Sequence, residues 1–284
     1  MPVINVNDIG AINEQKQIMV VNNNSNQNIL LIGSCRMTPF LNYLIHHDLF
    51  GVNYNYLCIL VHIPQMKQLS EEIIHNEHIK SQLFKSTILI AEYMRNYNYF
   101  NTQRDSEKCI FRVYDSFSRE IILPNWPDTC LYVKDIVHYK NLQNEFKQFL
   151  NKEINIEQFG YILQTHRQKE LQRHFSVLNK SKAPWHHLIN YTLSNLNDHR
   201  LGYTLNHPTN LYFIEMYRLL IEHFFAQSPY FLPQSVIELN RQHDFLRSDS
   251  TDTKLTYYDR LCFGCTINEH YLDENESNHY ILNG

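Results

Sequence analysis

Residues 28–45 contain Asn28-Ile-Leu-Leu-Ile-Gly-Ser-Cys-Arg36 followed by Met37-Thr-Pro-Phe-Leu-Asn-Tyr-Leu-Ile45, and these two runs decide the fold. The uninterrupted apolar run from Ile29 to Ile32 predicts a strand that is buried on both faces. Thr38 and Pro39 predict the start of a helix, because the missing N–H of a proline costs little in the first turn. The stretch therefore predicts a buried strand, a sharp turn at a glycine, and a helix.

The turn between this strand and helix carries three polar or reactive side chains, Ser34, Cys35 and Arg36. Apolar residues recur at helical spacing from Phe40 to Ile45, so we expect the helix to bury one side and to hold the turn at the carboxyl end of the sheet. Ligands of open α/β sheets bind at that end. A small nucleophile beside a cation at this position points to acyl-transfer chemistry.

Other short apolar runs alternate with helical patterns along the first half of the chain. Further strands are predicted at Ile18–Val21, Tyr56–Val61, Thr87–Ala91 and Glu120–Leu123. This alternation is typical of parallel sheets. The predicted fold class is therefore α/β, with a small parallel sheet flanked by helices.

The second half of the chain has mostly helical patterns. Helices are predicted at Asn141–Leu150, Ile156–Leu178, Trp185–Leu196 and Thr209–Phe225. The run from 248 to 284 is polar and rich in tyrosine, and it is interpreted as a polar C-terminal tail. We therefore predict a sheet-bearing half at 1–134 and a mostly helical half at 135–284, which together form one integrated catalytic unit.

The composition is that of an ordinary globular protein, with 284 residues, 43% hydrophobic residues, 19% charged residues and a net charge of −4. Such a charge gives no general attraction to nucleic acid, and no run approaches the ~18 apolar residues of a membrane span. The six scattered cysteines and the lack of a signal-like start favour the cytoplasm. Abundant Asn, Tyr, Ile and Phe indicate an A+T-rich microbe or large DNA virus, and in the viral case the host cytoplasm.

A second candidate motif is Gly202-Tyr-Thr-Leu-Asn-His-Pro-Thr-Asn210, which runs directly into the helical pattern of residues 209–225. Pro208 and Thr209 predict the helix start, so His207 is expected at the positive end of that helix. The helix dipole disfavours imidazolium there, which would leave a neutral ring suited to a general base. The alternative is that His207 only caps the helix.

Together the two segments resemble the capsule-polysaccharide biosynthesis family typified by WcbI, whose members are assigned as acetyltransferases with a flavodoxin-like fold related to the SGNH hydrolases. That family has Gly-Asn-Cys-Gln after an early strand and His-Pro-(Ser/Thr) before a late helix. This chain has Gly33-Ser34-Cys35-Arg36 and Asn206-His207-Pro208-Thr209 in the same order, over roughly residues 28–226. Ser34 and Arg36 depart from the family pattern, so the roles of those two family side chains are not carried over.

The resemblance leaves the role of the turn open between two mechanisms. In the first, Cys35 takes the acyl group from a thioester and His207 activates it. In the second, His207 deprotonates the acceptor directly, while Cys35 and Ser34 shape the site. A structural interpretation also stands, in which Cys35 is a small buried apolar residue under the helix.

Coenzyme A, which the resemblance implies, needs cations for its phosphates. The residues predicted to bind it are Gly33 and Arg36 at the turn, Thr38 at the helix start, and Lys180, Lys182 and Arg200 near the His-Pro segment. For the last three, the alternative is an ordinary solvated charge. The residues predicted to contact the acceptor are Glu92, Tyr93 and Arg95 at a strand end, and Asn206 and Asn210 beside His207. No metal site is predicted, because Cys262-Phe-Gly-Cys265 has no second pair at zinc-site spacing.

These features lead to three hypotheses about function. The first is an acetyl-CoA-dependent N- or O-acetyltransferase that modifies a sugar or nucleotide-sugar for a surface glycan and is fused to, or associates with, a glycosyltransferase. The second is an SGNH-type esterase or deacetylase acting on acylated carbohydrate, although no Asp-x-x-His motif precedes Pro208. The third is a non-catalytic module that binds glycans or nucleotides, which the abundant tyrosines suggest.

Overall fold

The computed structural model describes residues 18–60, 88–92, 119–124, 131–180, 184–204, 207–225, 232–242 and 253–283. The strands in these ranges are β1 (Ile18–Val21), β2 (Asn28–Gly33), β3 (Asn55–Leu60), β4 (Ile88–Glu92), β5 (Arg119–Leu123), β6 (Gly202–Thr204) and β7 (His207–Pro208). The helices are α1 (Met37–His46), α2 (Val133–Tyr139), α3 (Gln143–Leu150), α4 (Ile156–Lys180), α5 (His187–Asn195), α6 (Asn210–Leu220), α7 (Gln234–Gln242), α8 (Tyr257–Phe263) and α9 (Glu274–Asn283). A π-helical turn, Ile221–Phe225, follows α6.

The chain divides into two compact units. The first unit comprises Met1–Asn125 and Tyr217–Phe245, and the second comprises Trp126–Met216 and Leu246–Gly284. Strands β1 to β5 belong to the first unit, whereas the described part of the second unit is mostly helical. Within the described ranges, no helix is both long enough and apolar enough to cross a membrane.

The first unit is built on a five-stranded sheet with the strand order β1-β3-β2-β4-β5. Strands β3, β2, β4 and β5 are parallel, and β1 pairs antiparallel with β3 at one edge. Strand β2 lies in the centre, and all six of its residues are buried. These parallel pairs confirm the predicted α/β class. The unbroken apolar run predicted the central strand correctly because both faces of such a strand are covered.

Helix α1 begins at Met37, one residue before the predicted start. The N–H of Met37 donates to the carbonyl of Ser34 at 2.9 Å, and the N–H of Thr38 donates to that of Cys35 at 3.0 Å. Eight of the ten residues of the helix are buried. The helix packs against β2, β3 and α7. Such a helix is apolar almost all round because sheet and helix cover it from different sides.

The described end of the chain, residues 253–283, corrects the predicted polar tail. This region forms α8 and α9, and α8 packs against α4. The ring of Tyr258 meets those of Phe146 and Phe149 edge-on at 5.7 and 5.6 Å. Sequence inspection missed the helices because their apolar residues are spaced among many polar ones.

The start of α8 is fixed by a capping box. Asp259 Oδ2 accepts hydrogen bonds from the N–H and the hydroxyl of Thr256, both at 2.7 Å. Asp259 Oδ1 accepts the N–H of Val133 at 2.8 Å, which joins the start of α8 to the start of α2. The N–H groups at both helix starts are satisfied in this way by one buried carboxyl group.

Candidate functional site

The predicted turn lies where β2 ends in the first unit, and its glycine is required by close packing. A Cβ atom at Gly33 would lie 2.6 Å from Cγ of Met37 and 2.8 Å from Cβ of Glu92. Real Cβ atoms do not approach other carbons this closely, so any larger residue would push β4 and α1 away from the turn. The absence of a side chain at Gly33 therefore allows Glu92 to contact Ser34 and Arg36.

Glu92 is the last residue of β4, and it organises the turn. One carboxylate oxygen, Oε2, accepts hydrogen bonds from the N–H of Ser34 at 2.9 Å and from its hydroxyl at 2.7 Å. The other oxygen, Oε1, forms an ion pair with Arg36 Nη2. The Ser34 hydroxyl in turn accepts from Arg36 Nε at 3.0 Å. These charge-assisted contacts around Glu92, a residue that is only 3% exposed, hold the turn in place.

This network changes what the turn can offer to a ligand. The Arg36 guanidinium is neutralised by Glu92, and the Ser34 N–H and hydroxyl donate to the same carboxylate. The N–H of Thr38, the residue predicted to help bind phosphate, donates to the Cys35 carbonyl. These groups of the turn are therefore already engaged with one another, while the predicted roles of Gly33, Arg36 and Thr38 toward coenzyme A and of Glu92 toward the acceptor stay predictions.

Cys35 occupies the middle of this fixed turn and is half-buried, with no disulfide. The other described cysteines, Cys58, Cys262 and Cys265, are buried. Burial raises the pKa of the Cys262 thiol to about 12 and that of the Cys265 thiol to about 11, so both are poor nucleophiles. Cys35 is thus the reactive-thiol candidate among the described cysteines.

No group of three or more His, Cys, Asp or Glu side chains that could hold a metal ion occurs within the described ranges. Four predicted site residues, Tyr93, Arg95, Lys182 and Asn206, lie outside those ranges. Lys180 is the last residue of α4. The roles assigned to these five residues stay predictions.

The His-Pro motif lies in the second unit, in a short antiparallel hairpin of β6 and β7. Thr204 pairs with His207, and Gly202 pairs with Pro208. Helix α6 begins at Asn210, and the carbonyl of Thr209 accepts the N–H of Phe213 at 3.1 Å. Thr209 therefore precedes the helix directly, and His207 lies two residues before Thr209. Whether the His207 side chain caps the helix stays a prediction. The effect of a helix dipole falls off within one turn, so at the half-buried His207 it is weaker than the sequence predicted.

Arg200 is buried, with 8% of its surface exposed, so it is not a solvated charge. Its Nε donates to the carbonyl of Gly202 at 3.2 Å, and its Nη2 donates to that of Thr253. Its Nη1 forms an ion pair with Glu269 Oε2 at 2.8 Å. Arg200 thereby joins the start of the hairpin to two segments that are distant in sequence.

A cavity of about 270 Å³ lies beside Arg200 in the second unit. It is lined by Asp198, His199, Arg200, Tyr203, Thr209, Asn210, Leu211, Ile267, Asn268 and Glu269. Only Arg200 and Asn210 among these were predicted as site residues. Asp198 and His199 stand next to Arg200 in the sequence, and this cluster of polar residues was the available signal. Nothing in the sequence indicates that Asn268 and Glu269 join them.

The structure thus brings Ser34, Arg36 and Glu92 together in the first unit, and Arg200 and Asn210 together in the second. His207 itself does not line the cavity, but Thr209 and Asn210, which follow it, do. Tyr203, on the opposite strand of the hairpin, lines it as well. The hairpin that carries His207 is therefore part of the wall of a cavity.

Comparison with known proteins finds no matching family model and no matching curated protein. The fold is similar to that of WcbI, whose solved structure is described as a novel polysaccharide biosynthesis enzyme, native and without a disulfide bond between coenzyme A and one cysteine. The TM-score is 0.56 at 13% sequence identity, and the match covers 90% of this chain and 87% of WcbI. This similarity shows a shared fold and a distant structural relationship, while the predicted relation to SGNH hydrolases stays a prediction.

Proposed function

We propose that this chain is a coenzyme A-dependent acyltransferase, with acetyl as the first candidate acyl group. Its acceptor is an amino or hydroxyl group of a sugar or nucleotide-sugar in the biosynthesis of a surface glycan. The observation that carries the proposal is the half-buried Cys35 on a rigid turn, in a fold shared with WcbI over 90% of this chain. A role beside a glycosyltransferase in the cytoplasm belongs to the same proposal.

On the donor side, Cys35 is proposed to lie against the reactive end of the donor. Coenzyme A, when bound, supplies the acyl group as an activated thioester. Glu92 holds the N–H and hydroxyl of Ser34 and the guanidinium of Arg36, so the residues on both sides of Cys35 are held in place. Preorganisation of this kind favours acyl transfer because little reorganisation is needed during the reaction. Phosphate contacts are expected from residues outside the turn, such as Lys180 and Lys182.

On the acceptor side, His207 is proposed as the general base. It accepts the proton from the acceptor hydroxyl or amine while the new bond to the acyl carbon forms. The carbon–sulfur bond of the thioester then breaks, and the proton leaves with the thiol. Cys35 either carries the acyl group in between or shapes the site, and the two variants below distinguish these roles.

The proposal is tested with the purified protein, acetyl-CoA and a panel of sugars and nucleotide-sugars. We expect thiol release that depends on an acceptor, and loss of it in His207→Ala but not in His223→Ala, a control at an exposed histidine. Cys35→Ala abolishes transfer if the thiol carries the acyl group, and Cys35→Ser retains it if the residue only shapes the site. Failure to release thiol with any acceptor, together with failure to bind coenzyme A in calorimetry, would overturn the proposal.

A second test uses coenzyme A disulfide as the probe. Thiol–disulfide exchange at Cys35 would join one coenzyme A to the protein and release the other as a free thiol. We expect this adduct in the intact mass of the wild-type protein and of Cys265→Ala, and its absence in Cys35→Ala. Acceptor-independent hydrolysis of nitrophenyl acetate that requires Cys35, without transfer to any sugar, would instead establish the esterase hypothesis.

A further inference from the structure

The cavity of the second unit has a buried floor and an exposed rim. Its floor includes Arg200, Tyr203 and Asn210, which are 8%, 7% and 9% exposed. Its rim includes His199 and Asn268, which are both exposed. A ligand would therefore be enclosed on one side and open to solvent on the other. The volume of about 270 Å³ lies just below the roughly 300–1,000 Å³ of pockets for drug-sized ligands, so the cavity suits a smaller molecule.

The floor is held in place by contacts that do not involve a ligand. Arg200 donates to the carbonyls of Gly202 and Thr253 and pairs with Glu269. The hydroxyl of Thr209 donates to the carbonyl of Arg200 at 2.8 Å. The cavity is thus largely preformed, which lowers the entropic cost of binding.

The charges around the cavity disfavour a polyphosphate. The charge of Arg200 is balanced by Glu269 at 2.8 Å. The carboxylate of Asp198, on the rim, accepts a hydrogen bond from the Thr266 hydroxyl, and its charge offsets the partial positive charge at the start of α6. Because no excess positive charge lines the cavity, its walls suit a neutral or amino-bearing ligand better than the phosphates of coenzyme A.

The remaining groups match the hydrogen bonding of a sugar ring. Sugar hydroxyls both donate and accept, and the cavity is lined by the residues Asn210 and Asn268, which carry amides, and by Asp198, which carries a carboxylate. The Tyr203 side chain, on the buried floor, offers an apolar ring with a polar end. Such a mixture of aromatic surface and convergent polar groups is typical of small-ligand sites.

We infer that this cavity binds one sugar residue that is neutral or carries an amino group. If the chain is the acyltransferase proposed above, this sugar is the acceptor of the acyl group; that assignment rests on the proposed function. The cavity adjoins the hairpin that carries His207, so the residues that hold the sugar and the proposed base belong to the same local structure.

The experiment measures binding of methyl glycosides to the full chain by calorimetry and saturation-transfer NMR, without coenzyme A. The panel contains the methyl glycosides of glucose, galactose, mannose, rhamnose, glucosamine and galactosamine. We expect binding of at least one, weakened about three- to tenfold by His199→Ala and by Asn268→Ala, the factor that one hydrogen bond supplies. The matched controls, His223→Ala and Asn283→Ala at exposed positions outside the cavity, should bind as the wild type does.

Asp198→Asn adds a test of the charge argument. It should weaken binding of an amino sugar more than that of the corresponding hydroxyl sugar, because a charged amino group gains more from the carboxylate than a hydroxyl group does. Binding of no glycoside in the panel, or equal weakening in the controls, would overturn the inference. So would loss of coenzyme A affinity, with sugar affinity unchanged, in the His199 and Asn268 variants. The adduct at Cys35 is measured in parallel, so either proposal can fail while the other stands.

Discussion

The glycine turn of the first unit and the cavity of the second contain similar polar residues but arrange them differently. At the turn, the polar groups of Ser34, Arg36 and Glu92 satisfy one another, and half-buried Cys35 is held between them. In the cavity, Arg200 forms an ion pair with Glu269 and Asp198 accepts a hydrogen bond from Thr266, while amide, imidazole and carboxylate groups line an open space. The difference agrees with the two proposals, in which the turn positions one reactive atom and the cavity binds a ligand.

The largest expected effect on stability is that of Glu92→Gln, which removes the carboxylate of the turn. Loss of the carboxylate leaves the largely buried Arg36 without its ion-pair partner, and we expect the free energy of unfolding to fall by roughly 3 kcal/mol. The measurement is urea denaturation. The control is Glu222→Gln, in the exposed pair with Arg218, which should cost less than about 1 kcal/mol. Equal effects of the two substitutions would show that the network does not hold the turn.

Two glycines, one in each unit, are expected to be required for different reasons. Gly33→Ala should destabilise the protein by about 1–3 kcal/mol, because the new Cβ overlaps Met37 and Glu92. Gly264 has φ of 65° and open space around it, so Gly264→Ala should cost about 1 kcal/mol through backbone strain alone.

Asparagine distinguishes the two causes. It tolerates the left-handed conformation, so Gly264→Asn should recover part of the loss seen in Gly264→Ala. Gly33→Asn should be at least as damaging as Gly33→Ala, because it adds atoms where none fit. Recovery at position 33 would mean that packing against Glu92 is not the reason for glycine there.

The smallest expected effect is on the pH dependence of the free energy of unfolding, to which one group in each unit contributes with opposite sign. Burial lowers the pKa of His47 in the first unit to about 4, so the unfolded chain binds more protons between pH 4 and 6.5 and stability rises with pH. Burial raises the pKa of Asp135 in the second unit to about 6. The folded chain then binds more protons between about pH 4 and 6, and stability falls as pH rises.

Single substitutions separate these contributions. In Asp135→Asn, the free energy of unfolding should increase more steeply from pH 4 to 6 than in the wild type. In His47→Gln, the increase should be shallower. Urea denaturation at several pH values measures both slopes, and slopes that match the wild type would contradict the burial of these groups.

The sequence predicted the parts of the fold that depend on local patterns. Strand β2 was predicted because burial on both faces requires the unbroken run from Ile29 to Ile32. The π-helical turn after α6 was not predicted, because it depends on packing and not on a local pattern. Strand β4 was predicted to end at Ala91, but it includes Glu92, which pairs with Leu123. A buried glutamate is not expected from sequence, since its stabilising partners, Ser34 and Arg36, lie more than fifty residues away.

The candidate sites show the same limit. Cys35 and its turn were predicted because they are contiguous in the chain, and the position of Glu92 at the same sheet edge was anticipated from the topology. The cavity was missed because Arg200 meets Glu269 across 69 positions. Such contacts are set by how α8 and the segment after it pack, and no short motif records that.

The capping box at Asp259 has a consequence for synthesis of the protein. Asp259 satisfies the N–H of Val133 at the start of α2, and Tyr258 packs against Phe146 and Phe149 of α3. Until the ribosome has delivered α8, the start of α2 lacks its acceptor and the aromatic rings lack their cover. Complete folding of the second unit therefore waits for residues made more than a hundred positions later, which lengthens the time during which the apolar rings of α3 stay exposed.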